Sequence, residues 1–350
     1  MFSQIHLVNV YPEGIAEKYG GGHWKAIQAF THLTQVEDFN NIQFALNTNG
    51  YQKLIDVCGK FEEANVIFHY SFWPDLIKVL KTHYPNLKIS VRCMNAEAFQ
   101  HWHRSNITFS LSYHNIRNIY GSLRLLLQDQ KCRYFADHLL GISEWDNQHY
   151  WNFLPGSSKV HYCPYHSPWP KLRPHVQPAP WSDRQNKVVC LAGGRDPIGI
   201  SQVKNFVQFA RYVKAQTLST KWGFELSPGV YRSDQALDLE PVQLMLDLNE
   251  PWDLLCNIKV LAILTPLGFG TKTTIIDALA AGCHVLVEKK LAQRLPNNVK
   301  ILCHDVDMSK PLSFPELMEK VFHEPKVHHI NDELFAQAQS ALKETWILRQ

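Results

Sequence analysis

The chain reads as an α/β protein of two halves, each built on a mostly parallel sheet covered by helices on both faces. Three observations carry this. Short apolar runs of strand length alternate with stretches whose apolar residues recur at helical spacing, along the whole chain. The length, 350 residues, exceeds what one core usually serves. Near the middle, Pro164 to Pro180 reads PYHSPWPKLRPHVQPAP, which suits a stiff extended connector better than regular structure. The expected boundaries are a first domain over 1–165, a linker over 166–185, a second domain over 186–330 and a closing helix over 331–350. Two such halves on one linker imply a cleft between them.

In chain order, Ile5 to Val10 is the first expected strand. A loop with Gly20, Gly21 and Gly22 leads from it to a helix over His23 to Leu33. The three glycines permit close approach of a ligand or simply a mobile loop. Strands are expected at Ile42–Leu46 and Val66–Tyr70, with a helix over Tyr51–Phe61 between them. A helix over Leu76–His83, stopped at Tyr84-Pro85-Asn86, precedes a strand at Lys88–Cys93. The apolar spacing of Ile119, Leu123, Leu126 and Leu127 predicts a long helix over Arg117–Phe135. A strand at Leu139–Ile142 follows, then a helix for which Ser143 is the natural N-cap. Beyond the linker come a strand at Lys187–Ala192, a helix over Val203–Ala215, a strand at Trp222–Leu226 and a short helix over Pro241–Leu248. Val299–Leu302 reads as the last strand, and Pro315–Phe322 and Asp332–Thr345 as closing helices. No internal repeat recurs at periods of about 20 to 50 residues.

Composition excludes several classes. A formal charge of +3 is too small to argue for nucleic acid, and no arginine-rich run is interleaved with aromatics. The 18 histidines never form H-x-x-x-H or H-E-x-x-H. The 8 cysteines contain no C-x-x-C pair and several lie in apolar runs, as small core residues of a protein in a reducing compartment. MFSQIHLVNVYPEG lacks the features of a signal peptide, and no stretch reaches membrane-spanning length. A soluble cytoplasmic protein is expected. The acidic stretches SEWD and DLDLE read as solvated surface.

The most informative stretch is KVLAILTPLGFGTKTTIIDALAAGCHVLV, from Lys259 to Val287. It reads as strand, glycine loop, helix, strand. The first N–H groups of a helix have no partner within it, and its dipole places partial positive charge there. A phosphate suits that position, glycines let the backbone come close, and Lys272 adds a full charge. The stretch is neither a Walker A loop nor G-x-G-x-x-G, since Pro266, Thr271 and Thr273 stand where those motifs need glycine. A tight βα turn with a solvated lysine is the plain alternative.

The same stretch resembles the donor-site segment of GT-B glycosyltransferases of the family-4 type, where a G-x-G-x-K loop leads into K-x-x-E-A-L-A-x-G-x-x-V. Gly268, Gly270, Lys272, Ala278, Leu279, Ala280, Gly282 and Val285 match, with Asp277 in place of the glutamate. VRCMNAEAFQHWHR resembles an R-x-H-N-x-E segment of some of these enzymes, with Met94 in place of the histidine. ADHLLGISEWDNQHYW resembles the segment before the last strand of their first domain. VVCLAGGRDPIGISQVKNF resembles the start of their second, with Arg195 after the glycines and Lys204 beyond a longer loop than usual. The resemblance implies the GT-B architecture: two Rossmann-like domains whose parallel sheets face each other across a cleft, with a last helix that crosses back to the first domain.

It implies, further, a retaining glycosyltransferase of the hexosyltransferase type, active in glycan biosynthesis. The donor would be a nucleotide-sugar, most naturally a UDP- or GDP-sugar, and the acceptor a glycan, a lipid-linked molecule or a small molecule. Peripheral membrane contact is compatible with such an acceptor. Donor phosphates would be gripped by Arg195, Lys204, Gly268, Gly270, Thr271 and Lys272, and the ribose by Asp277. The plain alternative for Asp277 is an ordinary acid near a helix N-terminus. Retention by front-face attack, assisted by the leaving phosphate, needs no conventional base. His69, Glu97 and His101 follow strand ends, where open α/β sheets place their ligands, and are the catalytic candidates; each is equally a structural polar residue. No cofactor or metal is expected, since Asp305-Val306-Asp307, which has the letters of a metal-binding D-x-D, reads as a turn or cap. The competing functions are a non-catalytic GT-B-like module that binds nucleotide or sugar, another GT-B enzyme such as a nucleotide-sugar epimerase, and an unrelated two-domain nucleotide-binding protein.

Overall fold

The computed structural model describes residues 6–14, 21–37, 39–47, 49–61, 64–107, 113–192, 197–216, 221–227, 238–245, 248, 250–265 and 270–346. The first half contains β1 (His6–Pro12), α1 (Gly21–Val36), β2 (Asn40–Leu46), α2 (Tyr51–Cys58), β3 (Asn65–Phe68), α3 (Pro74–His83) and β4 (Lys88–Cys93). It continues through α4 (Glu97–Ile107), α5 (Tyr113–Phe135), β5 (His138–Gly141), α6 (Glu144–His149) and β6 (Lys159–Tyr162). A one-turn α7 (Trp169–Leu172) lies in the proline-rich connector.

The second half contains β7 (Gln185–Cys190), α8 (Pro197–Lys214), β8 (Gly223–Leu226), β9 (Gln243–Leu244), α9 (Pro251–Leu255), β10 (Ile258–Ile263) and α10 (Thr273–Ala280). β11 (His284–Glu288), α11 (Lys289–Ala292), α12 (Asn297–Lys300), β12 (Cys303–Val306), α13 (Phe314–Lys320) and α14 (Ile330–Trp346) complete it.

Each half folds around one six-stranded sheet, ordered β2-β1-β3-β4-β5-β6 and β12-β11-β10-β7-β8-β9. Every pairing is parallel. This is the two-domain α/β architecture the sequence predicts. The reason is visible in β3 and β10, which are buried at every position, as central strands covered on both faces must be. Side chains alternate across each sheet. Val8, Val66, Phe68, Ile89 and Val91 meet Leu54, Leu76 and Leu80 on one face of the first sheet. Leu7, Ile67 and Leu140 meet Phe30 and Leu33 of α1 on the other. In the second sheet Val188, Val260 and Leu286 pack on Phe206, Phe209 and Phe314, while Val189, Leu261 and Val285 pack on Ile275 and Leu279 of α10.

Strand order reverses between β1 and β3 and again between β7 and β10, the switch points at which open α/β sheets take ligands. The halves are not independent. One apolar cluster runs through both, joining Ala26, Ile27, Tyr70, Met94, Ile142 and Tyr165 to Ile275, Ile276 and Leu279. The chain also crosses between halves twice. After the connector carries it out, α14 carries it back, and Ala338, Ala341 and Leu342 pack against Leu7, Phe30, Ile67 and Leu140. The crossings are tied together where Asn331 accepts from Ser167 N–H at 2.6 Å and donates to its carbonyl at 3.1 Å.

Four local expectations are corrected. Pro241–Leu248 does not form a helix: Gln243 and Leu244 pair with Glu225 and Leu226 as an edge strand, fixed by a bond from Met245 N–H to the Leu226 carbonyl. Val299–Leu302 is not the last strand, because Pro296-Asn297-Asn298 starts a helical turn and pairing with β11 begins at Cys303. β6 has no counterpart among the expected runs, its four residues being too short and too polar to stand out. Asp146 of SEWD is buried rather than solvated, for reasons given below. Seven of the cysteines are buried and Cys303 is partly so, as expected of core thiols.

Because Leu342 is 1% exposed between α14 and the first sheet, Leu342→Ala is expected to destabilise by about 2–5 kcal/mol. Urea unfolding measures this, and a midpoint equal to wild type would mean that the contact contributes nothing.

Candidate functional site

The carboxyl ends of the two sheets meet, and the glycine loop of the second half lies directly on the first. Gly270 has φ +76, and a Cβ there would stand 1.9 Å from Asn95 Oδ1 and 2.8 Å from the Met94 carbonyl. Only glycine lets the backbone come so close. The Gly270 N–H donates to Asp146 Oδ2 at 2.8 Å, and Thr271 Oγ1 donates to the Ile142 carbonyl at 2.7 Å. Asp146 also accepts from Ala96 N–H at 3.2 Å, while Ser143 caps its helix as expected. Burial raises the Asp146 pKa to about 6 against these hydrogen bonds and the pull of Arg294, whose guanidinium sits 5.1 Å from the centre of the Trp145 ring. An acid expected at the surface is therefore a docking post for the loop.

A second bridge lies deeper. Asp277 is fully buried, with Oδ2 accepting from Lys25 Nζ at 2.9 Å and Oδ1 from the Tyr165 hydroxyl at 2.7 Å. Both partners come from outside the second sheet: Lys25 from α1 and Tyr165 from the start of the connector. This corrects the picture of Asp277 as an acid open to a ribose, since each oxygen already has a donor and the carboxylate meets no solvent. The acid sits on the inner face of α10, one helical turn after Thr273, and that face is pressed against α1.

Between the halves remains a cavity of about 220 Å³, with His23, Met94, Asn95 and Gln100 on one wall and Thr271 to Thr274 on the other. Lys272, extended at φ −74 and ψ 92, is the N-cap position of α10, so the cavity opens onto the first turn of a helix. His23 stands across from it. Burial lowers the His23 pKa, Glu97 opposes the shift and Lys272 adds to it, so these three groups share one electrostatic environment. His23 Nδ1 is hydrogen-bonded to the Tyr70 hydroxyl. Tyr70 has φ 140, an unfavourable backbone for a residue with a Cβ, and stacks on Phe72 at 4.7 Å. The next residue, Ser71, donates to Asp129, which also accepts from Tyr150 at 2.5 Å. Asp129 is fully buried, and burial pushes its pKa up to about 7 despite both bonds. This anchor holds the strained turn from which the Tyr70 hydroxyl reaches His23.

The catalytic candidates separate. Glu97 opens α4 beside the cavity and accepts from Asn95 Nδ2 at 2.9 Å. His69 does not reach the cleft: it is fully buried, 3.3 Å from Asn9 Oδ1 and edge-on to Phe30, and burial with the neighbouring Arg92 holds its pKa well below the ordinary value. Strand alternation explains this, since His69 continues the face of Ile67 and the adjacent Tyr70 takes the cleft side. His101 lines a different cavity, of about 710 Å³, in the first half, together with Glu13, Tyr51, Phe72, Trp73 and Arg124.

Of the phosphate candidates, Thr271 and Lys272 line the interdomain cavity, and Gly270 adjoins it with its N–H already engaged. Lys204 is exposed on α8 and is not part of that wall. Arg195 and Gly268 lie outside the described residues, as does Gly20, while Gly21 and Gly22 begin α1. Asp307 accepts from the backbone and hydroxyl of Ser309 and pairs with Lys289, a turn cap.

The site residues absent from the sequence reading are His23, Lys25, Tyr70, Asn95 and Asp146. His23 had a signal, its place in the first turn after three glycines. Lys25 and Asp146 had none, because their partners lie in the other half.

Removing one member of a buried ion pair strands the other. Lys25→Met is expected to cost about 3–5 kcal/mol in urea unfolding, with Asp277→Asn milder because it leaves no buried carboxylate. Wild-type stability in Lys25→Met would remove the bridge from the account. For Asp129 the folded pKa is raised, so its stabilisation is present below its ordinary value of 3.8 and is lost as pH rises through about 7. The urea midpoint is expected to fall over that window in wild type and to be flatter in Asp129→Asn; parallel profiles would contradict the assignment.

No protein-family model and no curated protein sequence matches the chain. Solved structures do. Sucrose-phosphate synthase from Thermosynechococcus elongatus superposes with a TM-score of 0.59 at 9% identity, covering 99% of this chain and 99% of that one. HepE from Anabaena, in complex with UDP-glucose, gives 0.55 at 12% identity over 98% and 96%. An α,α-trehalose 6-phosphate synthase from Burkholderia multivorans gives 0.57 at 10% identity over 98% and 93%. Identities this low speak to architecture rather than activity. With two parallel six-stranded sheets meeting at their carboxyl ends across a cavity, this chain has the GT-B fold.

Proposed function

We propose that the protein is a glycosyltransferase that moves a sugar, with retention, from a nucleotide-sugar donor to a glycan, lipid-linked or small-molecule acceptor. The observation that carries this is the interdomain cavity, in which Lys272 and the first turn of α10 face His23, a histidine that also feels the charge of Glu97. Breaking the bond from sugar to diphosphate builds negative charge on the leaving oxygen. A cation and the first turn of a helix, both facing the cavity, stabilise that charge as it develops. Lys272 is the main phosphate ligand in this reading, with Thr271 to Thr274 contributing backbone donors. The UDP-glucose held by HepE makes a UDP-sugar the first donor to test. The larger cavity of the first half, with aromatic walls and both charge signs, suits the acceptor.

Front-face attack assisted by the leaving phosphate leaves no step that requires His69, in keeping with its burial. His23 replaces it as the titratable group on the cavity wall, with Glu97 acting on it through its charge. Met94, where the resembled enzymes carry a histidine, contributes an apolar wall.

A second reading has a specific observation in its favour. The Asp277 carboxylate and the Gly270 N–H, both expected on the donor, are spent on contacts between the halves. A module that binds nucleotide or sugar without turnover would show this too.

Ligand that binds only the native state raises its stability with occupancy. A thermal shift is therefore expected with at least one of the UDP-, GDP-, ADP- or TDP-sugars at about millimolar concentration, followed by release of the nucleoside diphosphate. Lys272→Ala is expected to abolish the shift while the unliganded Tm stays near wild type. No shift with any donor defeats the proposal, and donor binding by Lys272→Ala at wild-type strength defeats the phosphate assignment. A shift with no release of diphosphate, with or without acceptors, selects the binding module.

A further inference from the structure

A pocket that the proposed chemistry does not use lies at the far end of the second sheet from the cleft. It opens beside the amino end of β8, between the last turn of α8, the Lys221-Trp222 pair leading into the strand, and α13 with the residues that follow it. Its volume of about 270 Å³ calls for a compact guest. The floor is apolar: Val213, Trp222 and Met318 are buried, and Phe322 meets the Trp222 ring edge-on at 6.0 Å. The wall is also fixed from behind. The Phe322 carbonyl accepts from Trp181 Nε1 of the connector at 3.3 Å, and the His323 carbonyl is 2.7 Å from His284 Nε2. A wall set by the fold costs a guest little ordering on entry.

The rim is charged, and with both signs. Lys221 Nζ stands 5.3 Å from the centre of the Phe322 ring, and the buried Lys259 places its ammonium 5.1 Å from the same ring. Glu319 of α13 is exposed on the same pocket. Neither Lys221 nor Glu319 belongs to an ion pair among the described residues, although both border one small space. Each sign is therefore left to a guest. A purely anionic molecule would sit against Glu319, a purely cationic one against Lys221, and a neutral apolar one would desolvate both charges without return. A molecule with an apolar body and a head bearing both charges meets every requirement.

We propose that this pocket binds a free aromatic α-amino acid, with its ring against Trp222 and Phe322, its carboxylate at Lys221 and its ammonium at Glu319. The inference rests on the far end of the second half and stands whether or not the protein transfers sugars.

Titration calorimetry of the full chain tests it. L-Phenylalanine is expected to bind, with 3-phenylpropionate and phenethylamine each about tenfold weaker because each lacks one of the two charges. L-Alanine, which keeps both charges and lacks the ring, is expected not to bind. Lys221→Gln is expected to bring phenylalanine down to the level of phenethylamine, and Glu319→Gln to the level of phenylpropionate. Both side chains are exposed, so both variants are expected to keep the wild-type Tm. Neither heat nor a rise in Tm with phenylalanine at about 10 mM would overturn the proposal. So would equal affinity for the three aromatic compounds, which would make the pocket an unselective apolar slot, or binding indifferent to both substitutions.

Discussion

The buried contact between Lys25 and Asp277, with Tyr165 completing the carboxylate, is the point at which the two halves become one molecule. A charge with no access to water survives only with a partner and a full set of hydrogen bonds. That requirement fixes the pose of α10 against α1 and thereby the position of Lys272 at the mouth of the same helix. The apolar cluster around the pair, from Ala26 and Met94 to Ile275 and Leu279, keeps water away from it. The polar bridge and the apolar cluster support each other: burial makes the ion pair obligatory, and the pair sets the orientation in which the apolar surfaces meet.

The glycine loop illustrates how one backbone can meet two demands. Its motif suggests a cradle for phosphate, and the structure uses part of that cradle to hold the halves together through Asp146. What remains open to the cavity is the next stretch, Thr271 to Thr274, with the charge of Lys272. The division is economical in a steric sense, because the Gly270 position that lets the backbone pass Asn95 also delivers the following residues to the cavity wall.

Much of the architecture follows from pattern alone. Lys88–Cys93 is bounded as expected, and the alternation of strands and helices suffices for two parallel sheets. The failures are physical and local. β6 and β9 are short edge strands whose identity comes from a neighbour's ladder rather than from their own residues. His69 and Tyr70 are adjacent, and choosing between them required knowing which face of β3 continues into the cleft. Asp146 and Asp277 look like ordinary helix acids because the groups that bury them are distant, Lys25 being 252 residues from Asp277. A sequence displays its periodicities, and it conceals pairings that exist only after two domains have met.

The two crossings between halves, cross-bonded through Ser167 and Asn331, also govern how the molecule can move. A pair of domains on a single tether can slide, twist or separate. On two tethers pinned side by side, those motions are opposed, and the freedom left is rotation about the axis through the pins, held in check by the Lys25–Asp277 and Asp146–Gly270 contacts. The displacement grows with distance from that axis, so a modest swing would widen the far lip of the cleft while the hinge itself stays packed. Admission and release of a bulky guest are then matters of angle rather than of detachment.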